Sequence, residues 1–272
     1  MIYHHKISES ELEYYKRQII LDGFGIDAQK KLKKFKVLLI GVGGVGSPVA
    51  TYLTGLGLGE LSIVDDDSVS ISNLHRQVLF DIDYLGESKA VIAKNRLQKL
   101  NPYISITAIT QRLTNHNYTK LDMKKYHLII DTSDNYLTKI LSNKISLEYS
   151  IPLLSGGVLG LDFQAGIFNI SHSSACLNCL YPDLDKVEHK STLGVVGIVA
   201  GQAGLTLANL AINFLLKKQD YQSSTLYRYN ATSMQLNKFD LSKDIDCNLC
   251  RAFPKKCVNS LTQTSEFYLQ IR

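Results

Sequence analysis

The amino-acid sequence predicts an α/β fold in which a doubly wound, mostly parallel sheet continues into antiparallel strands. In the first half of the chain, short apolar strands alternate with helical segments, which is typical of a parallel sheet covered by helices on both faces. Beyond Gly156 the alternation stops, and residues 163–170 and 225–230 are predicted to form antiparallel strands with a long apolar helix between them. A run of glycines directly after the first strand indicates a ligand site at the edge of this sheet.

The elements of the first half can be placed in order. Residues 8–34 are predicted to be helical and to precede the first strand, Val37–Ile40. Later apolar and β-branched runs predict strands, and the segments between them predict helices, one of which ends before Pro102. Strands joined in this way form a Rossmann-like sheet and bring their carboxyl ends to one edge. The remaining predicted strands are Leu61–Val64, Ile104–Ile109, Tyr126–Ile130 and Ile151–Leu154, and the predicted helices are Ser47–Leu58, Glu87–Leu100 and Asp134–Tyr149.

The first strand runs directly into glycines with the spacing G-x-G-x-x-G, at Gly41, Gly43 and Gly46. The first glycine permits a tight turn, the second lets the main chain approach a phosphate, and the third lets the next helix pack against the strand. Free N–H groups at the start of that helix favour an anion. Asp65, at the end of the next strand, is suited to ribose hydroxyls. The sequence therefore predicts a nucleotide site, the alternative being a glycine-rich turn without a ligand.

A cluster of polar residues after the second strand distinguishes between nucleotides. Acids, an amide and a guanidinium lie in the stretch 65–77, next to the expected ribose site. Hydride transfer requires no such cluster, whereas a triphosphate requires cations, which Arg17, Arg76 and Lys89 could supply. Asp134 follows a further strand and could hold Mg²⁺ against the phosphates. The alternative for Asp134 is the N-cap of the next helix.

Four of the five cysteines form two C-x-x-C pairs. Two such pairs can supply four thiolates to one tetrahedral zinc ion, which leaves no open position for catalysis. A reducing compartment favours zinc over disulfides, and redox chemistry or buried thiols are the alternatives. The predicted zinc ligands are Cys176, Cys179, Cys247 and Cys250, and Cys257 is interpreted as an incidental thiol.

Length and charge exclude several classes of protein. At 272 residues with a net charge of +5, the chain is long enough for a sizeable core and is only mildly basic. The N-terminus lacks the apolar segment of a secretory signal, so a cytoplasmic location is predicted. Residues 193–216 are uncharged and long enough to span a bilayer, but their glycines and amides favour a buried helix. The basic cluster at 30–34 is interpreted as a solvated helix face, so neither a membrane nor a nucleic acid is an expected partner.

Taken together, these motifs resemble the ThiF/MoeB/HesA family, the bacterial relatives of ubiquitin-activating enzymes. The resemblance extends from about Tyr14 to Cys250, nearly the whole chain. It implies a homodimeric, ATP-dependent adenylyltransferase that activates the C-terminal Gly-Gly carboxylate of a ubiquitin-like sulfur carrier protein, such as those of thiamine or molybdopterin synthesis. The motifs that carry it are residues 15–21, the glycine loop 41–46, Asp65–Asp67, Ser72–Gln77, Lys89, Thr132–Asn135 and both cysteine pairs.

The resemblance also implies an organisation and a role for individual residues. The chain would be one adenylation domain over 1–272, with N-terminal helices (1–35), a nucleotide-binding half (36–155) and a carrier-binding half with the zinc cysteines (156–272). The cofactors would be ATP, Mg²⁺ and Zn²⁺. Arg17, acting in the partner subunit's site, would be catalytic together with Arg76, Lys89 and the magnesium ligand Asp134. ATP would contact Gly41, Gly43, Gly44, Gly46, Asp65, Asp67, Asn73, Arg76, Gln77, Lys89 and Asn135.

Two departures from the family pattern bear on the reaction. Many relatives carry a cysteine just before the segment aligned with residues 192–197, whereas this chain has no thiol at 188–191. We therefore expect adenylation without a catalytic cysteine. Lys139 stands where several relatives have Arg, and lysine keeps the charge but loses bidentate geometry.

Three other functions remain open at this stage. A microcin-type peptide adenylyltransferase uses the same fold without a catalytic cysteine. An NAD-dependent oxidoreductase is compatible with the glycine spacing alone, and would tolerate alanine at the four predicted catalytic positions. A non-catalytic module that only docks a carrier is the third alternative, and it would show no ATP–pyrophosphate exchange.

Overall fold

The computed structural model describes residues 7–182, 194–218 and 221–253, which form one eight-stranded sheet flanked by helices. The strand order is β3-β2-β1-β4-β5-β6-β7-β8. The strands are β1 (Lys36–Ile40), β2 (Glu60–Val64), β3 (Ser105–Ile109), β4 (Leu128–Asp131), β5 (Leu153–Leu159), β6 (Asp162–Phe168), β7 (Ser224–Asn230) and β8 (Gln235–Leu241). The helices are α1 (Glu9–Ile19), α2 (Gly25–Leu32), α3 (Gly46–Leu56), α4 (Lys89–Leu100), α5 (Tyr136–Tyr149), α6 (Leu177–Leu180), α7 (Gly197–Leu215) and α8 (Asn248–Ala252).

The parallel half of the sheet comprises β3, β2, β1, β4 and the first part of β5. Val37 and Leu39 of β1 pack into a core shared with α3 and α4, whereas Leu38 and Ile40 pack into a second core shared with α5. Because both faces are covered, the central strand reads as a continuous apolar run rather than an alternating one. The predicted fold class, a parallel sheet continuing into antiparallel strands, is confirmed.

Strand β5 joins the two halves of the sheet. It pairs in parallel with β4 as far as Ser155 and antiparallel with β6 along its whole length. The strand was predicted to end at Leu154, but it continues through Gly156 and Gly157. A Cβ atom on Gly156 would lie 2.7 Å from the Leu207 side chain of α7, so this glycine permits close helix packing instead of ending the strand.

The N-terminal region, predicted to be helical over 8–34, contains two helices. The break lies between Ile19 and Gly25. Gly23 and Gly25 have φ values of 70° and 65°, a left-handed conformation that other residues adopt only with strain. The two helices pack against each other and against the ends of α3 and α4 through side-chain hydrogen bonds such as Tyr15 with Asn101.

Strand β8 was not predicted from the sequence. Its residues are exposed on both faces, and its polar composition lacks the alternation of a half-buried strand. It forms because it is the second strand of a hairpin, paired with β7 over all seven positions of both strands. Within the described part of the chain it is the last strand of the sheet on this side.

Helix α7 contains the long apolar segment that was predicted to be buried. It packs across β5, β6 and α3, and Gly204 brings it so close to α3 that a Cβ atom there would overlap the Val45 carbonyl oxygen. Among the described residues, this is the one helix long and apolar enough to cross a membrane, and half of its 18-residue apolar window is buried inside the protein. The helix is therefore part of the core.

Candidate functional site

A cavity of about 910 Å³ opens at the carboxyl ends of the parallel strands. The loops after β1, β2 and β4 form one wall, and the antiparallel strands β5, β6 and β7 form the other. This is the edge at which open α/β sheets bind their ligands. Of the predicted site residues, Gly41, Gly43, Gly44, Asp65, Asp67, Arg76, Gln77, Lys89, Asp134 and Asn135 line the cavity.

The glycine loop has the geometry that its spacing predicts. Gly41 turns with a φ of 84°, and a Cβ atom there would lie 3.2 Å from the Ser133 backbone nitrogen. A Cβ atom on Gly46, the first residue of α3, would overlap the Gly41 carbonyl oxygen. Gly46 therefore does not line the cavity but lets α3 start directly beneath the loop. The free N–H groups of this helix end are suited to an anion.

The carboxylate of Asp65 is held by the backbone of the loops around it. One of its oxygens accepts a hydrogen bond from the Val42 N–H (2.8 Å), and the other accepts one from the Asp67 N–H (2.9 Å). Burial raises the pKa of Asp65 above its ordinary value of 3.8, an effect that these two N–H groups only partly offset. The carboxylate is thus fixed against the glycine loop, where ribose hydroxyls would lie if a nucleotide binds as predicted.

Lys89 places a buried ammonium at the cavity wall. The residue is only 3% exposed, and its Nζ lies 2.9 Å from a carboxylate oxygen of Asp67, whose side chain is 61% exposed. Lys89 is the first residue of α4, where the helix dipole disfavours a cation, so the ion pair compensates for this placement. The cavity wall therefore holds an ammonium in a fixed position, paired with the Asp67 carboxylate.

Arg76 and Gln77 flank the glycine loop from the turn after β2. The Arg76 guanidinium donates to the Ser72 carbonyl oxygen (2.9 Å), and its stem packs against Gly44. The Gln77 side chain is 4% exposed, and its Oε1 has no hydrogen-bond partner within the described part of the chain. A buried acceptor left unpaired is costly, so this atom is suited to a donor supplied by a ligand.

Asn73 supports this turn without lining the cavity. Its carbonyl oxygen accepts hydrogen bonds from the backbone N–H groups of Arg76 (3.1 Å) and Gln77 (3.0 Å). Its side chain is absent from the cavity wall that the described residues form. The structure therefore gives Asn73 a role in shaping the turn, and its predicted phosphate contact remains a prediction.

The start of α5 gives different roles to two neighbouring polar residues, Asp134 and Asn135, either of which could cap the helix by its sequence. The side chain of Asn135 accepts hydrogen bonds from the N–H groups of Leu137 (2.9 Å) and Thr138 (3.2 Å), so Asn135 is the N-cap. The alternative that Asp134 caps this helix is therefore wrong. Asp134 is exposed and lines the cavity, which leaves its carboxylate where the magnesium hypothesis requires it.

Arg17 lies away from the cavity of its own chain. It is an exposed residue of α1, and its neighbour Gln18 donates to the carbonyl oxygen of Leu56 at the end of α3. Because α3 runs from the cavity edge toward the opposite edge, α1 lies at the amino ends of the parallel strands. Arg17 does not line the cavity within the chain, so its predicted role requires a second copy of the protein.

Several residues of the cavity wall were not singled out as site residues from the sequence. Asp131 lies behind this wall: it ends β4 with no exposed surface and accepts hydrogen bonds from Ser133, which lines the cavity, and from Ser142. Lys139, noted only as a departure from the family pattern, donates to the Gly156 carbonyl oxygen (2.9 Å). On the opposite wall, Gln164 and Arg228 are paired across β6 and β7, and the Tyr181 hydroxyl donates to Gln164 (2.5 Å). Gln164 and Arg228 come together through pairing between strands that are distant in the chain, so no local spacing marks them.

The four predicted zinc cysteines form one cluster, which packs against Leu147 of α5. Their Sγ atoms all lie within 4.8 Å of one another, and three pairs are separated by 3.6, 3.7 and 3.8 Å. A tetrahedral zinc with Zn–S bonds of about 2.3 Å requires S–S separations of about 3.8 Å. The residues therefore fit one zinc ion. The ligands would be Cys176 and Cys179 around α6 and Cys247 and Cys250 around α8.

Two sequence-based predictions fall on residues outside the described part of the chain. One is the expected absence of a catalytic cysteine, which concerns residues 188–191, and the other is the interpretation of Cys257 as an incidental thiol. Both remain predictions from the sequence.

The fold and the cavity define a nucleotide-binding α/β protein with a four-cysteine site that fits zinc. The chain belongs to the ThiF family, whose family model matches residues 15–249. The resemblance stated from the motifs is therefore confirmed.

Curated relatives support this assignment. A sulfur carrier protein adenylyltransferase of Thermus thermophilus is 33% identical over 250 residues, covering 89% of this chain and 92% of the relative. The sulfur carrier protein ThiS adenylyltransferase of Escherichia coli is 34% identical over 245 residues, covering 90% and 97%. The adenylyltransferase and sulfurtransferase MOCS3 of Drosophila grimshawi is 36% identical over 255 residues. This chain spans 57% of the length of that relative.

Solved structures agree with the fold. The crystal structure of Escherichia coli MccB with ATP superimposes with a TM-score of 0.75 and 22% identity, covering 90% of this chain and 73% of that chain. At this identity the likeness concerns the fold alone.

Proposed function

We propose that this chain is an ATP-dependent adenylyltransferase that activates the C-terminal carboxylate of a small ubiquitin-like sulfur carrier protein ending in Gly-Gly. The products are an acyl-adenylate and pyrophosphate. The observation that carries the proposal is the composition of the cavity, whose one wall holds the glycine loop, Arg76 and Lys89 and whose other wall is the face of β5, β6 and β7. The names of the Thermus thermophilus and Escherichia coli relatives support it.

The proposed chemistry is a displacement at phosphorus. A carboxylate oxygen of the carrier attacks the α-phosphorus of ATP, the bond from that phosphorus to the bridging oxygen breaks, and pyrophosphate leaves with the electron pair. No proton is transferred, so the reaction needs no general base. Catalysis consists of positioning and of stabilising charge on the phosphate oxygens, and we assign the second role to Lys89 and Arg76 because both line the cavity.

Magnesium is part of the proposal through Asp134, since Mg²⁺ binds carboxylates together with phosphate oxygens. When bound, the ion neutralises phosphate charge. Zinc, held by the four cysteines, would be structural because all four positions are occupied by protein ligands.

A homodimer with Arg17 acting across the interface is also proposed. The exposed position of Arg17 outside the cavity of its own chain motivates it. A mixing experiment tests it. Arg17→Ala and Lys89→Met chains are each expected to be inactive, and their mixture is expected to recover activity because one of its two sites retains both residues. A mixture that stays inactive, although mixed dimers form, would contradict the proposal.

The lack of a thiol at 188–191 supports a reaction that stops at the adenylate, with sulfur delivery by another protein. The cytoplasm is the compartment we propose, because sulfur carriers and reduced cysteines belong there. A covalent complex between this chain and a carrier that dithiothreitol breaks would contradict a reaction that stops at the adenylate.

A peptide adenylyltransferase is the second candidate, favoured by the missing thiol. The experiment that separates the two combines ATP–pyrophosphate exchange with intact mass spectrometry. Small proteins ending in Gly-Gly from the same cell are expected to support exchange and to gain the mass of AMP. Exchange with a short peptide but with no Gly-Gly protein would favour the second candidate, and hydride transfer from a nicotinamide would contradict both.

A further inference from the structure

A buried ion pair links the two walls of the cavity. Asp131, at the end of β4, accepts hydrogen bonds from the Ser133 N–H (2.8 Å), the Ser133 hydroxyl (2.6 Å) and the Ser142 hydroxyl (2.5 Å). Its side chain has no exposed surface. Ser133 directly precedes Asp134, so the buried carboxylate holds the segment that presents Asp134 to the cavity.

Lys139 continues this connection to the other wall. Its Nζ lies 3.7 Å from an Asp131 carboxylate oxygen and donates to the Gly156 carbonyl oxygen at 2.9 Å. Its side chain is 13% exposed and lines the cavity. Gly156 lies on β5, where the sheet changes from parallel to antiparallel pairing. The Lys139 ammonium thus contacts both Asp131, which holds the segment containing Asp134, and strand β5 of the opposite wall.

The position of Lys139 is not explained by helix stability. It lies in the first turns of α5, where the helix dipole disfavours a cation, and a buried ammonium loses hydration. Asp131, the Gly156 carbonyl oxygen and the Ser155 hydroxyl (3.4 Å) offset both costs as its partners. A side chain retained at such a place is suited to holding two elements at a fixed separation.

We propose that Lys139 and Asp131 are positioning residues that set the distance between the phosphate-binding wall and the strand wall against which the substrate's C-terminal tail lies. The proposal rests on the proposed function. A displacement at phosphorus requires the attacking oxygen within about 3–3.5 Å of its target, and a misplacement of about 1 Å costs about 100-fold in rate. Neither residue needs to touch ATP for this role.

The test uses the full-length protein, Mg-ATP and the Gly-Gly protein that supports pyrophosphate exchange in the wild type. Lys139→Met keeps the length of the side chain but removes the ammonium. We expect kcat to fall by about 100-fold, the KM for the Gly-Gly protein to rise, and the affinity for Mg-ATP alone to stay within about twofold. Lys139→Arg retains the cation and is expected to recover most of the activity.

The matched control is Lys144→Met on the same helix, whose ammonium contacts the exposed Asn115 side chain. It should behave like the wild type. Unchanged kcat in Lys139→Met would overturn the proposal. An equal loss of Mg-ATP affinity in the absence of the Gly-Gly protein would also overturn it, because Lys139 would then bind the nucleotide directly.

Ser142→Ala provides a second variant for the case in which Lys139→Met does not fold. It removes one hydrogen bond to Asp131 and leaves the ion pair intact. A smaller fall in kcat with unchanged Mg-ATP affinity supports the proposal, and unchanged kcat contradicts it. A wild type that binds Mg-ATP but shows no exchange with any Gly-Gly protein or peptide would instead refute the proposed function, and the positioning role with it.

Discussion

The two halves of the sheet differ in how they form the wall of the cavity. In the parallel half, a glycine turn, a backbone-bound carboxylate and a buried ammonium hold polar groups in fixed places. In the antiparallel half, the cavity wall is a strand surface that continues toward an exposed hairpin, and the two cysteine pairs follow β6 and β8 in the chain. Phosphate chemistry dictates residue types at set positions, whereas a wall that receives a peptide is defined mainly by its shape. Removing the elements that hold each half tests this contrast.

The largest expected effect concerns the antiparallel half. Cys176→Ser should abolish stoichiometric zinc binding, measured by elemental analysis, and lower the thermal midpoint strongly. Structural zinc sites contribute binding free energy on the order of 10 kcal/mol in zinc-finger peptides, so this half depends on the ion. Cys257→Ser is the control and should keep one zinc per chain. A Cys176→Ser protein with wild-type proteolytic resistance would show that the half is stable without the metal.

The next effect concerns the chemistry of the parallel half. Lys89→Met should reduce kcat for pyrophosphate exchange by about 100–1,000-fold, because one preorganised cation at the phosphates is lost. Lys94→Met, an exposed position on the same helix, is the control. Thermal melting should show that both variants fold. Retention of activity in Lys89→Met would remove this ammonium from the proposed site.

A smaller effect distinguishes the glycine of the loop from an ordinary helix glycine. A methyl group on Gly46 would overlap the Gly41 carbonyl oxygen, whereas one on Gly55, in the same helix, would meet nothing within 4 Å. Gly46→Ala should lose about 1–3 kcal/mol of stability and weaken Mg-ATP binding. Gly55→Ala should be neutral or up to about 1 kcal/mol more stable. Equal calorimetric results for the two would contradict the assigned packing.

The smallest effect lies at the opposite edge of the parallel half. His127 Nδ1 accepts a hydrogen bond from the Lys36 N–H (3.1 Å), and burial lowers the pKa of His127 below its ordinary value of 6.5. Between the lowered pKa of the folded state and 6.5, the unfolded chain therefore binds more protons than the folded one. The contribution of His127 to the free energy of unfolding is fully present above pH 6.5 and decreases as the pH falls below that value. The slope is at most about 1.4 kcal/mol per pH unit.

Thermal melting from pH 7.5 to 5.5 measures this effect. His127→Gln should lose part of the pH dependence, and His116→Gln, at an exposed position, should retain all of it. Identical pH profiles for the wild type and His127→Gln would contradict the prediction. The affinity for Mg-ATP at pH 7.5 should be equal in all three proteins, because this edge lies away from the cavity.

Much of the parallel half was predictable because its signals are local. The strand, the glycine spacing and Asp65 lie close together in the sequence, and each has a physical reason for its position. The capping of α5 was not predictable, since Asp and Asn are both good N-caps and only the backbone path decides between them. Strand β8 was missed for a related reason, because its pairing with β7 replaces the burial pattern on which strand prediction depends.

The sequence by itself determined the class of fold, the glycine loop and the four cysteines that cluster. Anion and metal binding require particular residue types at short, regular spacings, and such spacings can be recognised in the sequence without knowledge of the fold. Tertiary structure alone decided which polar groups meet across the cavity. Three features depend on how whole elements pack. They are the Gln77 oxygen, which has no partner within the described ranges, the link from Asp131 through Lys139 to Gly156, and the position of Arg17 away from the cavity of its own chain. Such contacts arise from strand pairing and helix packing, which no local pattern encodes.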